Sequence, residues 1–234
     1  MLSTMGRPPA IVKSIYRALV PASIRASHAV ARLKSRLLAH DSIYDAEFYQ
    51  DSVERPALRS AARMAATIVS DLNVANVIDV GCGTGALLEA LRDKGCRVSG
   101  LEYSEAALRC CRARDLDVAK FDLERDVYSH ERSFDAAISM EVAEHLPISA
   151  ADRYVDLLTR LSGIVIFTAA APGQGGKDHV NEQPPSYWIR KFVERHFEHA
   201  HEQSQRWRES WKAAGDVESW YHQNLMIFRR RPPN

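Results

Sequence analysis

The sequence predicts an α/β domain built on a mainly parallel sheet with helices on both faces. Three observations predict it. Short apolar, β-branched runs alternate with amphipathic stretches between residues 76 and 168, the rhythm of strands joined by crossover helices. One run, Val77-Ile78-Asp79-Val80, enters a glycine turn, Gly81-Cys82-Gly83-Thr84-Gly85, that opens a helix. The composition, 234 residues of which 46% are hydrophobic and 26% charged, supplies one sizeable core and excludes a disordered, collagen-like or wholly coiled-coil chain.

The first 40 residues stand apart from this pattern. They hold Arg7, Lys13, Arg17, Arg25, Arg32, Lys34 and Arg36 and no acid, so of 31 basic and 30 acidic residues the remainder keeps 24 and 30. A net charge of +1 thus conceals a basic arm, residues 1–40, on an acidic domain, residues 41–234. Apolar residues recur at three and four residue intervals over 11–19 and 24–38, split by Val20-Pro21, which predicts two short amphipathic helices. Such helices suit packing on the acidic domain, contact with an anionic membrane surface, or an organellar targeting segment. All three stay open.

The cysteines, Cys82, Cys96, Cys110 and Cys111, form no CxxC pair, so neither a disulfide framework nor a zinc site is expected and a reducing compartment is the natural setting. No run approaches the roughly 20 apolar residues of a membrane span. Arg17, Pro21 and Arg25 interrupt any signal-peptide stretch. The expected location is cytoplasmic, with the arm as the means of peripheral contact at the inner face of a membrane.

After a turn near Asp41 come Tyr44, Phe48 and Tyr49, then a helix over 56–72. Strands are predicted at 76–80, 97–102, 118–121, 134–140 and 164–168, and helices at 85–94, 104–112 and 151–161. Residues 172–185, with Gly173, Gly175, Gly176 and Pro184-Pro185, form a loop too long for a mere connector and read as a lid. A helix over 187–195 follows. Residues 198–212 carry no secure pattern, and 220–229 reads as a closing strand.

Glycine in the turn lets the backbone pass close to a ligand and adopt positive φ, while the helix behind it presents unpaired N–H groups. The turn also satisfies the dinucleotide pattern through Gly81, Gly83 and Ala86, so its neighbours must decide the ligand. Asp79, just before the turn, can position an ammonium. Glu102 ends the second strand, 17 residues after Gly85, where an acid accepts ribose hydroxyls, and Tyr103 can lie against a purine. Asp122 closes the third strand, placed for an exocyclic adenine amine. Ammonium, ribose and adenine in that order describe S-adenosylmethionine. The bland alternatives are that Glu102 caps a helix and that Asp122, with Glu124 and Asp126, faces solvent.

With Asp79-Val80-Gly81-Cys82-Gly83-Thr84-Gly85, Glu102, Phe121-Asp122-Leu123 and Ser139-Met140-Glu141-Val142-Ala143-Glu144-His145-Leu146 in order, the chain from about residue 44 to 229 resembles the class I S-adenosylmethionine-dependent methyltransferases. The resemblance implies a Rossmann-like, seven-stranded sheet with an antiparallel last strand. It implies a cofactor site lined by Asp79, Gly81, Cys82, Gly83, Gly85, Glu102, Tyr103, Asp122, Leu123 and Met140, with Tyr44 and Tyr49 over the methionine end.

The methyl donor is already activated, so the protein's task is to align an acceptor and exclude water. A hydroxyl acceptor must also lose its proton near the transition state. His145, past the fourth strand, is the best placed base, with Glu141 beside it; capping of the strand-to-helix turn is the alternative for His145. Glu141, Glu144 and His145, with His179 in the long loop, resemble the divalent-metal arrangement of small-RNA 2′-O-methyltransferases and ubiquinone-pathway O-methyltransferases. The same E-V-x-E-H pattern occurs in relatives expected to be metal-free, and a metal-free site is favoured.

His179, Asn181, Glu182 and Tyr187 are candidate acceptor contacts, while Trp207, Trp211 and Trp220 read as packing rather than recognition. The acceptor expected is a small molecule or glycan methylated at oxygen. Nucleic acid is disfavoured, because outside the arm and Arg229-Arg230-Arg231 there is no basic stripe, which leaves RNA methylation as a minor alternative. A non-catalytic adenosylmethionine-binding subunit is a third reading. A dinucleotide oxidoreductase lacks a hydride-transfer constellation.

Overall fold

The computed structural model describes residues 54–129 and 134–232. The basic arm over 1–40 and the Tyr44 to Tyr49 segment lie outside the described residues. The elements in chain order are α1 (Arg55–Leu72), β1 (Asn76–Val80), α2 (Ala86–Arg92), β2 (Arg97–Glu102), α3 (Glu105–Ala113), β3 (Val118–Lys120) and β4 (Ala136–Met140). Two short 3₁₀ turns then precede α4 (Ala151–Leu161), β5 (Ile164–Thr168), α5 (Pro185–Val193), β6 (Phe197–His199), α6 (His201–Ala214), α7 (Ser219–Asn224) and β7 (Met226–Arg230).

The seven strands form one sheet in the order β3-β2-β1-β4-β5-β7-β6. β1 pairs in parallel with β2 and β4, and β4 with β5; β7 runs antiparallel to both β5 and β6. The order reverses between β1 and β4, so the ends of those strands open the crevice where open α/β sheets bind ligands.

Alternation along each strand divides the core into two layers. Ile78, Val80, Phe167 and Phe228 meet α4 and α5 through Tyr154, Leu158, Trp188 and Phe192 on one face. Val77, Ile138, Ile166 and Ile227 meet α1, α2 and α6 through Ile68, Leu91, Trp207 and Trp211 on the other. Strands covered on both sides must be apolar at nearly every position, which is why β5 reads Ile-Val-Ile-Phe-Thr. Each such Ile or Phe, fully buried, contributes about 1.5–3 kcal/mol. Phe192 and Phe228 stack with ring centroids 3.8 Å apart.

Most predicted elements agree to within a few residues, and the differences have local causes. β4 starts at Ala136, just after Asp135, whose carboxylate accepts the N–H groups of Ala75 and Asn76 and whose own N–H donates to the Asn76 carbonyl. The 198–212 stretch holds the end of β6 and then, from His201, helix α6, whose buried Trp207 and Trp211 pack as expected, with Trp207 donating to Asp71. The predicted closing strand over 220–229 is corrected: Ser219–Asn224 is helical and only Met226–Arg230 is strand. The N–H of Tyr221 turns back to the Glu218 carbonyl, and Leu225 ends the helix. Among the described residues no helix is long and apolar enough to cross a membrane.

Candidate active site

The glycine turn takes the conformation its sequence demands. Gly81, Gly83 and Gly85 have φ of 78°, 55° and 80°, where residues with a Cβ are strained. A Cβ on Gly81 would lie 2.6 Å from Val142 Cγ2, and one on Gly85 2.5 Å from Leu116 Cδ1. Cys82 sits inside this turn, and its thiol pKa is pushed well up by a hydrogen bond with Cys111 and by burial. Cys111 in turn donates to the Gly83 carbonyl at 3.3 Å, so the two thiols brace the turn from beneath.

Asp79 ends just below the turn, 4% exposed, and its Oδ1 has no hydrogen-bond partner. Burial, assisted by the charge of Glu102, raises its pKa to about 8. A buried carboxylate oxygen left without a partner is costly, and a cation delivered to the turn would relieve that cost. Thr84 Oγ1, in the same turn, is likewise buried without a partner.

Glu102 is placed by the end of β2, and both its oxygens are engaged. Oε2 accepts the Gly83 N–H at 2.9 Å and Oε1 the Ser104 N–H at 2.7 Å. Tyr103 follows, half-buried, with Lys120 Nζ 5.9 Å from its ring centre. Asp122, half-buried rather than facing solvent, caps a local turn: its Oδ1 accepts the Glu124 N–H at 2.9 Å and its other oxygen faces Arg125 at 3.7 Å. Leu123 packs at the edge of the α4 layer and Met140 at the edge of the α1 layer.

After β4 the chain turns sharply at Glu141, a non-glycine residue with φ of 54°. Thr168, at the end of β5, fixes that conformation by accepting the Glu141 N–H with Oγ1 at 2.8 Å. The Glu141 carboxylate then accepts Asn224 Nδ2 at 3.0 Å and Gln174 Nε2 at 2.7 Å. Burial raises its pKa against those hydrogen bonds. Glu144 is fully buried, neither of its oxygens has a partner, and burial plus the charge of Glu141 holds its pKa well above the usual carboxylate range.

The long loop returns over this cluster as the sequence predicts, and it is internally tied. Glu182 accepts the N–H groups of Gly173 and Gly175 and His179 Nδ1 at 2.7–2.9 Å. Burial alone would raise the Glu182 pKa, but those bonds lower it overall. The N–H groups of Val180 and Asn181 both donate to the Glu144 carbonyl. Asn181 is buried against the Ala143 carbonyl, and Tyr187 sits on α5 against Trp188. These contacts bring His179 onto His145, with ring centres 4.9 Å apart. Glu144, His145 and His179 each offer a ligand atom within 4.8 Å of the others; Glu141, the fourth member of the sequence cluster, is engaged with the two amides.

Three residues at the site carry no sequence signal. Gln174 and Asn224 lie 50 residues apart and bond each other at 2.7 Å. Tyr221, also on α7, has its pKa raised by burial and by the charges of Glu141 and Asp79. Only the fold of the C-terminal segment back over β4 brings these two elements together.

Comparison with known proteins gives a consistent picture. Residues 61–168 match the family described as methionine biosynthesis protein MetW. The ubiquinone biosynthesis O-methyltransferase of Alkalilimnicola ehrlichii is 31% identical over 118 residues, 47% of this chain and 44% of that protein. The chain thus spans less than half the length of that relative. A sugar N-methyltransferase from Streptoalloteichus sp superposes with a TM-score of 0.60 over 83% of this chain and 95% of that one, at 14% identity. The magnesium protoporphyrin IX methyltransferase of Synechocystis PCC 6803 gives 0.57 over 98% and 100%, at 16% identity.

Proposed function

We propose that this chain, which has the class I S-adenosylmethionine-dependent methyltransferase fold, binds S-adenosylmethionine and methylates a small hydroxylated molecule at oxygen. The observation that carries the reading is the partnerless, buried Asp79 Oδ1 beside a turn of three glycines at positive φ. That combination suits a ligand with a cationic amino-acid end lying against backbone.

When bound, S-adenosylmethionine supplies an electrophilic methyl group on a sulfonium. Asp79 holds the ammonium end and the glycine turn admits the backbone contact. Glu102, at the end of β2, takes the ribose, and Tyr103, Leu123, Met140 and Asp122 border the adenine. The loop over 172–184 shields the reacting centre from water. His145 accepts the acceptor's proton, with His179 packed against its ring. The acceptor class rests on the name of the curated relative, a ubiquinone biosynthesis O-methyltransferase.

A second reading adds a divalent ion to the same chemistry. It is favoured by Glu144, His145 and His179 converging within 4.8 Å around a carboxylate whose oxygens both lack partners. Such a set would hold magnesium or manganese and lower the pKa of a bound hydroxyl.

For the basic arm, residues 1–40, we assign peripheral docking on an anionic membrane surface at the cytoplasmic face, on its charge and amphipathic pattern alone. Loss of liposome binding on deleting it is the expected result.

The test is calorimetric titration with S-adenosylhomocysteine, then transfer of a radiolabelled methyl group to 3,4-dihydroxybenzoate, with a glycan and an RNA oligonucleotide in parallel. Binding with transfer to the catechol supports the reading. Transfer to RNA alone overturns the acceptor class, binding without transfer to any of them points to a non-catalytic subunit, and no binding removes the reading altogether.

A further inference from the structure

The polar ring formed by Glu141, Gln174 and Asn224 joins three parts of the molecule that the sequence keeps apart: the turn after β4, the long loop after β5, and the end of α7. Asn224 Nδ2 donates to both Glu141 Oε1 at 3.0 Å and Gln174 Oε1 at 2.7 Å, and Gln174 Nε2 closes the ring on Glu141 Oε2 at 2.7 Å. The amide orientations follow from the chemistry: turning Asn224 over would set its carbonyl oxygen against a carboxylate and against another carbonyl. Asn224 is 6% exposed, whereas Gln174 is exposed, so the ring runs from the interior to the mouth of the site.

Both ends of the ring are anchored. Glu141 is held at φ 54° by Thr168. α7 is pinned at its start, where the Glu218 N–H donates to Ser60 Oγ of α1 and Asp216 takes a two-pronged contact from Arg63. Gln174 links the long loop to α7, while Val180 and Asn181 tie it to the segment after β4 and Glu182 ties it to itself. Asp79 and the glycine turn take no part in the ring.

We propose that Asn224 and Gln174 are positioning residues for the methyl acceptor: they latch the loop over 172–178 to α7 and so set acceptor affinity without setting cofactor affinity. This rests on the methyltransferase reading above and adds to it a division of labour between the cofactor turn and a C-terminal latch. The same ring explains why a non-glycine residue occupies the strained position 141. A glycine would make that turn more easily but would offer no carboxylate to the two amides.

The test uses the full chain with Gln174→Ala and Asn224→Ala. Expected in both are faster hydrogen exchange over 172–178, an unchanged Kd for S-adenosylhomocysteine, and a KM for 3,4-dihydroxybenzoate raised about tenfold with kcat largely retained, the scale of one lost hydrogen bond to a charged group. Unchanged exchange over 172–178 overturns the latch, and so does a cofactor Kd that weakens as much as KM. Asn224 is buried, so if its variant does not fold, the exposed Gln174→Ala decides the matter. If the wild-type protein binds S-adenosylhomocysteine but leaves the catechol unmethylated, the acceptor reading fails while exchange still decides the latch.

Discussion

The carboxylate of Glu102 accepts the backbone N–H of Gly83 at 2.9 Å, so the acid that ends β2 holds the glycine turn in shape. Its second oxygen takes the Ser104 N–H. A ribose bound there must share these oxygens, each of which has a second lone pair to offer. Glu102→Gln turns one acceptor into a donor facing an N–H. The expected outcome is a loss of about 1–3 kcal/mol in stability together with cofactor affinity reduced at least about tenfold. Denaturant unfolding and calorimetry measure the two; a change in affinity alone would mean that the bond to Gly83 does not support the turn.

Asp79 makes stability depend on pH in an unusual direction. Its pKa is about 8 in the folded chain, above the ordinary unfolded value near 3.9, so between those limits the folded state keeps a proton that the unfolded state loses. Stability therefore falls as pH rises from about 4 to 8, by at most about 1.4 kcal/mol per unit from this group. Glu141 and Glu144, both raised, act in the same sense. Thermal melts of ligand-free protein from pH 5 to 8 should show the decline, and Asp79→Asn should flatten it. The same substitution should weaken S-adenosylhomocysteine binding, a trade of function for stability.

The glycine turn tolerates no side chain. In Gly85→Ala, the strain of positive φ, about 1–2 kcal/mol, adds to a Cβ placed 2.5 Å from Leu116 Cδ1, where overpacking costs about 1–3 kcal/mol more. The summed penalty, about 2–5 kcal/mol, should lower the melting temperature by roughly 5–15 °C and remove cofactor binding. A variant with wild-type melting and binding would show that the turn does not need its glycine there.

Glu144 gives a direct assay for an ion. If Glu144, His145 and His179 hold one, manganese at a hundredfold excess over its Kd should stabilise the wild-type protein by about 2.7 kcal/mol and leave Glu144→Gln unmoved. Without metal, Glu144→Gln should itself be neutral or stabilising, since it removes an acid from a fully buried position. A wild-type protein indifferent to manganese would confine the site to cofactor and side-chain chemistry.

Much of this was legible from the sequence because β1, β4 and β5 are nearly continuous apolar runs and the cofactor turn is a contiguous motif. Glu102 was legible as a site residue but not as a brace, since its bond to Gly83 exists only once β1 and β2 lie side by side in register. β6 was missed because Phe197–His199 offers one buried residue and no alternation worth the name. α7 was read as strand because aromatic residues at 220 and 221 imitate one. Gln174 and Asn224 have no motif at all; chain reversal in the C-terminal segment alone makes them neighbours.

The strand order also carries a consequence for synthesis. β7, the last of the described strands in chain order, lies between β5 and β6, so the first five strands can pair among themselves but β6 cannot join the sheet before β7 is made. Until residues 226–230 have emerged, β5 presents an open, fully apolar edge and Phe197–His199 has no strand to join. A nascent chain stopped short of Met226 would expose an adhesive β edge beside an otherwise finished cofactor half, the state in which pairing with another chain competes with folding.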